Sequence, residues 1–386
     1  MIDYQKVIDT FGTPTYVYDT NTLLNRVNYL KSKFNSKFNM VYAVKANTFI
    51  AKEINDSVER FEICSPGEFD ICNNLGLPHN KMVISGVNKD KAFIEKLISS
   101  YDDILIYTIE SLIHFEMLKE LSQKYNRNIN VLIRLTSGNQ FGVSEEDFKY
   151  IIENSIDLIT IKGVEYFSGT QKHSIKKINK EVDYLLEFVH NIENSYNIKM
   201  EEIEFGPGLP IFYFHDEEFN EEEFLTEVNI ALEKLSNYTI SLEVGRSIAA
   251  SCGSYLTSVV DMKTNKNGNF VIVDGGMNHI VYYGQTMAMR IPYYEVLPNK
   301  QGEEDSYNIY GSLCTINDVI VKNISTRKLS IGDTFVFKNT GAYSSTEGIS
   351  LFLSRDLPKV VIIDKNNEMK LVRDVIKTSE LNFPNY

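Results

Sequence analysis

The sequence predicts an α/β protein, a parallel (β/α)8 barrel followed by an antiparallel β domain. Three observations predict it. From about residue 26 to residue 246, eight short apolar runs alternate with stretches of helical period. Beyond Ser247 the helical period fades, and β-rich runs punctuated by turn residues replace it. The chain has 386 residues, 43% of them hydrophobic and 24% charged, which is material for two ordinary cores rather than one.

The eight runs are MVYAV (40–44), RFEICS (60–65), KMVIS (81–85), DILIYT (103–108), INVLIRL (129–135), IKGVEYF (161–167), EEIEFG (201–206) and TISLEVG (239–245). Between them, segments such as 111–125 and 179–196 repeat apolar residues at three- and four-residue spacing, as a helix with one buried face does. A doubly wound open sheet would show a similar alternation. In the second half the strand-like runs are 254–263, 269–276, 318–324, 333–339 and 359–364, separated by turns such as NKNGN (265–269) and IGD (331–333). YVYD (16–19) is also strand-like and is expected to join this second sheet. The expected division is 26–246 for the barrel, with 1–25 and 247–386 forming the β-rich domain.

Charge and composition exclude several function classes. The formal net charge of −13 opposes a phosphate backbone, so nucleic acid is not an expected partner. No apolar run approaches the roughly 20 residues that cross a bilayer. Residues 1–12 lack a basic-then-apolar leader pattern, so a cytoplasmic location is expected. The four cysteines, at 64, 72, 252 and 314, form no CxxC pair, and neither a structural metal site nor a disulfide framework is expected.

Several segments place reactive side chains at strand ends, where a (β/α)8 barrel builds its sites. Lys45 ends the run MVYAVKAN. Desolvation there would favour the neutral amine that imine formation needs, although a surface lysine would look the same. EFGPGLP (204–210) offers Gly206 and Gly208, whose N–H groups could cradle a phosphate, or could serve only a turn. LEVGR (242–246) puts Glu243 and Arg246 in one tight turn, as a functional pair or a structural ion pair. SLCTIND (312–318) and GAYSS (341–345) place Cys314 and Tyr343 in loops of the β half.

In this order and spacing, FGTPTYVYD (11–19), YAVKAN (42–47), EICSPGEF (62–69), ISGVNKDK (84–91), FGPGLP, EVGR, VDGGMN (273–278), SLCTIND and GAYS resemble the fold-type III pyridoxal-phosphate decarboxylases. That family includes the diaminopimelate, ornithine and arginine decarboxylases, and shares its barrel with alanine racemase. The resemblance implies pyridoxal 5'-phosphate held as a Schiff base on Lys45, with Glu243 pairing with the ring nitrogen. It implies Gly206, Gly208, Thr170, Arg246 and Tyr343 around the phosphate, Glu62 as an acid near the lysine, and Glu68 and Arg134 buttressing the phosphate end. Cys314 would donate the proton that quenches the carbanion. Asp274, Tyr282, Thr315 and Tyr343 would face the substrate. A homodimer with shared active sites is implied, because the family's cysteine loop reaches the neighbouring subunit.

Four departures from the family pattern matter. The stretch that usually reads HxHxGSQ is EYFSGTQ (165–171), so Phe167 replaces the histidine that stacks on the cofactor ring, a task an aromatic face can still perform. Pro207 interrupts the glycine trio and removes one N–H donor. Thr315 stands where an acid usually recognises a distal amine, and Tyr282 where diaminopimelate decarboxylases carry an arginine, with Arg290 as a candidate substitute. The expected activity is therefore decarboxylation of a conjugated amino acid or one tethered to a carrier protein, as in secondary-metabolite or siderophore biosynthesis. The alternatives are a diaminopimelate or ornithine/lysine decarboxylase, an amino-acid racemase, and a non-catalytic regulator.

Overall fold

The computed structural model describes residues 2–34 and 38–384. The chain opens with α1 (Tyr4–Phe11), β1 (Thr15–Asp19) and α2 (Thr20–Lys33). Eight parallel strands then close a barrel: β2 (Phe38–Ala43), β3 (Arg60–Ile63), β4 (Met82–Ile84), β5 (Ile106–Ile109), β6 (Ile129–Arg134), β7 (Ile159–Phe167), β8 (Glu202–Gly206) and β9 (Thr239–Val244), with β9 returning to β2. Each of the eight apolar runs in the sequence supplies one of these strands. The alternative of an open sheet is excluded by the β2–β9 pairing, in which Val41 lies opposite Glu243.

The helices that follow are α3 (Pro66–Asn74), α4 (Lys91–Ser100), α5 (Leu112–Tyr125), α6 (Glu145–Glu153), α7 (Ile175–Tyr196), α8 (Glu221–Glu233) and the short α9 (Arg246–Ala249). Six of them start at a residue whose side chain accepts the N–H three positions on: Ser65, Asp90, Ser111, Ser144, Ser174 and Asn220. Such a cap contributes about 1 kcal/mol and fixes where each strand-end loop stops. In α3 the cap is reinforced by Pro66 at the first helical position, which needs no hydrogen bond there.

Alternation along the barrel strands sorts the side chains. Val83, Ile106 and Leu132 form one buried apolar cluster, and Phe61 and Ile63 are fully buried on either side of Glu62. Register puts Ala43 opposite Glu62, Arg134 opposite Glu165 and Glu165 opposite Glu204, so charged side chains from neighbouring strands share the barrel's inner face.

The second sheet contains β10 (Gly253–Asn265), β11 (Gly268–Val273), β12 (Tyr294–Leu297), β13 (Glu304–Tyr310), β14 (Val319–Arg327), β15 (Thr334–Lys338), β16 (Lys359–Ile363) and β17 (Met369–Arg373). YVYD joins it as expected: β1 runs between β10, antiparallel, and β16, parallel. The sheet is not purely antiparallel, because β11 and β13 also pair in parallel. The chain between those two strands makes a long excursion through β12 and so returns in the same direction. α1 covers this sheet with Val7 packed on Val17, Leu256, Val336 and Ile363. By contact the chain divides into a barrel unit, Arg26–Pro210 and Asn220–Ile248, and a sheet unit comprising Met1–Asn25, Ile211–Phe219 and Ala249–Tyr386. Among the described residues no helix is long and apolar enough to cross a membrane.

Candidate active site

In the barrel unit the chemistry gathers at the strand C-termini. Lys45 lies in a 3-10 turn directly after β2. Its Nζ is 3.2 Å from Glu62 Oε2, 3.0 Å from Glu243 Oε1 and 3.8 Å from Cys64 Sγ. The expected desolvation is not what the structure shows. The Lys45 side chain is 38% exposed, and the two carboxylates beside it are the buried partners. Those carboxylates compensate the ammonium, a better solution than stranding a bare charge in a barrel.

Glu62 and Glu243 respond in opposite directions. Burial pushes Glu62 up, but the Lys45 ammonium, the hydrogen bond from Glu243 and the Arg134 guanidinium outweigh it and hold Glu62 below the usual carboxylate range. Burial pushes Glu243 well above that range, and the neighbouring Glu62 charge adds to the rise. One proton thus bridges the pair and sits on the Glu243 side when Lys45 is the only cation between them. The Cys64 thiol, pushed up by burial and by Glu62, is neutral, and the Cys64 N–H donates to Glu68 Oε2 at 2.7 Å.

Glu68 and Arg134 are engaged with other groups of the barrel. Glu68 fixes the backbone beside Lys45. Arg134 pairs with Glu110 at 3.1 Å and Glu165 at 3.3 Å. The reason is register: Arg134 ends β6 directly opposite Glu165 on β7. Lys89, a second lysine of the barrel, is buried; its Nζ donates to Gly86 O and Thr108 Oγ1 and lies 3.7 Å from Glu110.

The phosphate-type elements lie on the β7–β9 side. Gly208 has φ +61°, and a Cβ there would meet Gly169 O at 2.2 Å. A Cβ on Gly206 would run into the Phe167 ring at 2.0 Å, so Phe167 lies against bare backbone. Lys172 ties the two loops together through its N–H to Gly208 O and its Nζ to Gly206 O and Glu181. Arg246, buried, donates from Nε to Thr170 Oγ1 at 3.4 Å. A primary amine between two carboxyls, an aromatic ring over glycine and a glycine turn near a buried guanidinium form a donor set that fits pyridoxal phosphate.

The sheet unit holds the remaining positions. Cys314 is exposed in the loop after β13, and Thr315 beside it is half-buried. This loop is organised by Asp318, which the sequence did not single out. Its carboxylate accepts from Leu313 N and Met277 N, both at 2.7 Å, and it fits only because Gly276 and Gly311 carry no Cβ. Tyr343 adopts φ +63° after Gly341, whose backbone meets Gly253 too closely for any side chain.

Three positions expected to face substrate have other engagements. Asp274 accepts from Thr257 and Thr13 hydroxyls and from Ser258 N, which commits its carboxylate to joining β10 and the segment before β1. The Tyr282 hydroxyl donates to Lys338 O, leaving its ring to pack on Tyr213 and Phe214. Arg290, the candidate substitute for a distal arginine, is paired with both Asp216 and Glu217 and stacked on Phe214.

The family described as "Pyridoxal-dependent decarboxylase, C-terminal sheet domain" matches residues 15–341. An L-glutamyl-[BtrI acyl-carrier protein] decarboxylase of Niallia circulans is 26% identical over 94% of this chain and 91% of its own length. The diaminopimelate decarboxylase of Campylobacter jejuni is 27% identical over 89% of each chain. The solved diaminopimelate decarboxylase of Helicobacter pylori complexed with L-lysine has the same fold, with a TM-score of 0.86, 23% identity and 98% of both chains covered. The lysine/ornithine decarboxylase of Vibrio vulnificus complexed with putrescine superimposes with a TM-score of 0.80 at 21% identity, over 93% of this chain and 96% of that one.

Proposed function

The chain belongs to the pyridoxal-dependent decarboxylase family, and on that footing we propose that it removes CO2 from an amino acid whose distal end is conjugated or tethered to a carrier protein. The observation that carries this reading is the side-chain set at the distal-recognition positions. Thr315 offers no carboxylate for a free amine, Tyr282 offers no guanidinium, and Arg290 is committed to Asp216 and Glu217. A buried ammonium or carboxylate without its counter-charge costs several kcal/mol, on the order of 3–5. A neutral, extended side chain avoids that cost.

Two further features support it. Beside the Cys314 loop the sheet unit carries a mainly apolar groove of ≈ 360 Å³, walled by Met277, Tyr282, Met287, Ile316 and Ile320. The relative from Niallia circulans is named for an amino acid attached to an acyl-carrier protein. The second reading, free diaminopimelate, is favoured by the Campylobacter jejuni relative.

When bound, the cofactor supplies the electron sink for the carbanion left as CO2 departs. The other tasks belong to this chain's residues. Lys45 would supply the amine that anchors the cofactor. Glu243 would face the ring nitrogen, with the Glu62 carboxylate, held below the usual range by Lys45, beside it. Gly206, Gly208, Thr170 and Arg246 would hold the phosphate, and Phe167 would offer an aromatic face to the ring. Cys314 would serve as proton donor, contributed by the second subunit of a homodimer.

CO2 release from a panel of free amino acids, acylated amino acids and carrier-bound aminoacyl thioesters tests the reading. Conjugated substrates are expected to exceed every free one by about 100-fold or more in kcat/KM, the value of one avoided unpaired charge. Efficient turnover of free meso-diaminopimelate would overturn it. Lys45→Ala should lose both the cofactor's visible absorbance and all turnover.

A further inference from the structure

Lys172 is a buried lysine with no task in the scheme above. It is 5% exposed, and its partner Glu181, on α7, is 7% exposed. Burying such a pair carries a desolvation cost that an apolar pair of the same size avoids. The ammonium therefore invites a reason beyond meeting Glu181.

That reason lies in the turn 206–208, which Lys172 lines from end to end. Its own N–H donates to Gly208 O at 2.8 Å. Its Nζ donates to Gly206 O at 3.2 Å and to Glu181 Oε2 at 2.7 Å. Its stem lies against Gly208, where an added Cβ would come within 3.2 Å of Lys172 Cγ. Glu181 also accepts from Ser168 Oγ, so the same acid reaches the stretch that leads into Gly169 and Thr170. All these residues belong to the barrel unit.

A turn cradles an anion only if it shows N–H groups and turns its carbonyl oxygens elsewhere. This turn is poorly equipped to do so alone. Its two glycines rotate freely, and Pro207 between them has no N–H to offer. Lys172 engages both glycine carbonyls. A trans peptide directs its C=O and N–H oppositely, so the bond to Gly208 O leaves the N–H of Leu209 directed away from Lys172. A turn held in advance has less freedom to lose when a ligand arrives. An ion pair that only fastened α7 to the barrel would need no bond to either carbonyl.

We propose that Lys172 is a positioning residue for the phosphate end of the site, keeping the glycine carbonyls turned from the anion while Glu181 holds the ammonium in place. It acts through the turn, not by contact with the phosphate. The proposal rests on the cofactor reading of the preceding subsection.

The test compares pyridoxal phosphate with pyridoxal, which carries the same aldehyde and lacks the phosphate. Equilibrium titration, followed by visible absorbance, gives a Kd for each. In Lys172→Met the Kd for pyridoxal phosphate should rise about tenfold or more, while that for pyridoxal should move by less than about twofold. The single variant leaves Glu181 buried without its counter-charge. The double variant, Lys172→Met with Glu181→Gln, removes both charges and keeps an acceptor for Ser168. It should show the same selective loss, and serves if the single variant folds poorly. A general loss of structure would weaken both ligands alike. Equal weakening, or unchanged Kd values in a folded variant, would overturn this proposal alone. A wild-type protein that binds neither ligand would overturn both it and the functional reading.

Discussion

Replacing Asp318 by alanine should unfasten the loop that carries Cys314. Asp318 is buried, and its two carboxylate oxygens each accept one backbone N–H at 2.7 Å, from Leu313 and Met277. Hydrogen bonds to a charged acceptor contribute about 1.5–3 kcal/mol each, and the donors left behind stay largely out of water. Water entering the space beside Gly276 and Gly311 would recover part of this, so the expected loss is about 3–4 kcal/mol. Asp318→Asn keeps one acceptor but turns an amide against the second N–H, and should lose about 2 kcal/mol. Urea unfolding of wild type and both variants measures the difference. A second readout is kinetic: with Cys314 no longer held, kcat should fall more than KM rises. A loss below about 1 kcal/mol in Asp318→Ala, with turnover unchanged, would refute the reasoning, because the two bonds would then be replaced without cost.

The remaining predictions concern the barrel unit. Arg246→Ala should raise the Kd for pyridoxal phosphate by roughly 30–150-fold, the equivalent of about 2–3 kcal/mol for a charge-assisted bond to phosphate, read by equilibrium dialysis. Gly208→Ala forces a Cβ to within 2.2 Å of Gly169 O at φ +61° and should cost about 1–3 kcal/mol in thermal unfolding, while weakening cofactor binding in the same assay. Burial pushes the Glu165 carboxyl up to about 7, so the folded protein keeps a proton that the unfolded chain releases in the ordinary glutamate range. A raised acid contributes stability that is present at low pH and is lost as pH rises toward 7, amounting to about 3 kcal/mol at about 1.4 kcal/mol per pKa unit. Glu165→Gln should therefore gain on wild type by about that amount between pH 4.5 and 8 in cofactor-free unfolding experiments, and a constant difference would contradict the assignment.

The barrel was legible because each strand is a compact apolar run between turn signals, and YVYD carried the same signature. The elements missed were weaker or longer-range. β13 reads EDSYNIY, with three polar residues at its start, and its stability comes from pairing with β11 and β14 rather than from its own composition. α1 owes its place to Val7 packing on residues from four other segments. The same division holds at the site. Lys45, Glu62 and Glu243 meet because each lies at or after a strand end, which spacing reveals. The acid partners of Arg134 are not visible in the sequence, because only cross-strand register shows that it faces Glu165. Asp318 closed a recognised motif but had no visible task until Gly276 and Gly311 were seen to make room for its carboxylate. Asp274 and Arg290 read in the sequence as open to a substrate, because a sequence does not disclose which protein donors and acids already satisfy a polar group.

The central position of β1 bears on how the protein comes to be made. Its neighbours are residues 253–256 on one side and 359–363 on the other, so neither exists when residues 15–19 leave the ribosome. The barrel's strands all fall within that interval, and domains generally fold as units in order of synthesis. During that time Tyr16, Val17 and Tyr18, fully or almost fully buried in the finished sheet, must wait without partners. A nascent chain that stalls before residue 359 would present this strand with one edge unclaimed, a natural binding point for chaperones and a natural seed for misassembly. Truncations at the C-terminal end should therefore harm yield and solubility out of proportion to the few contacts they delete.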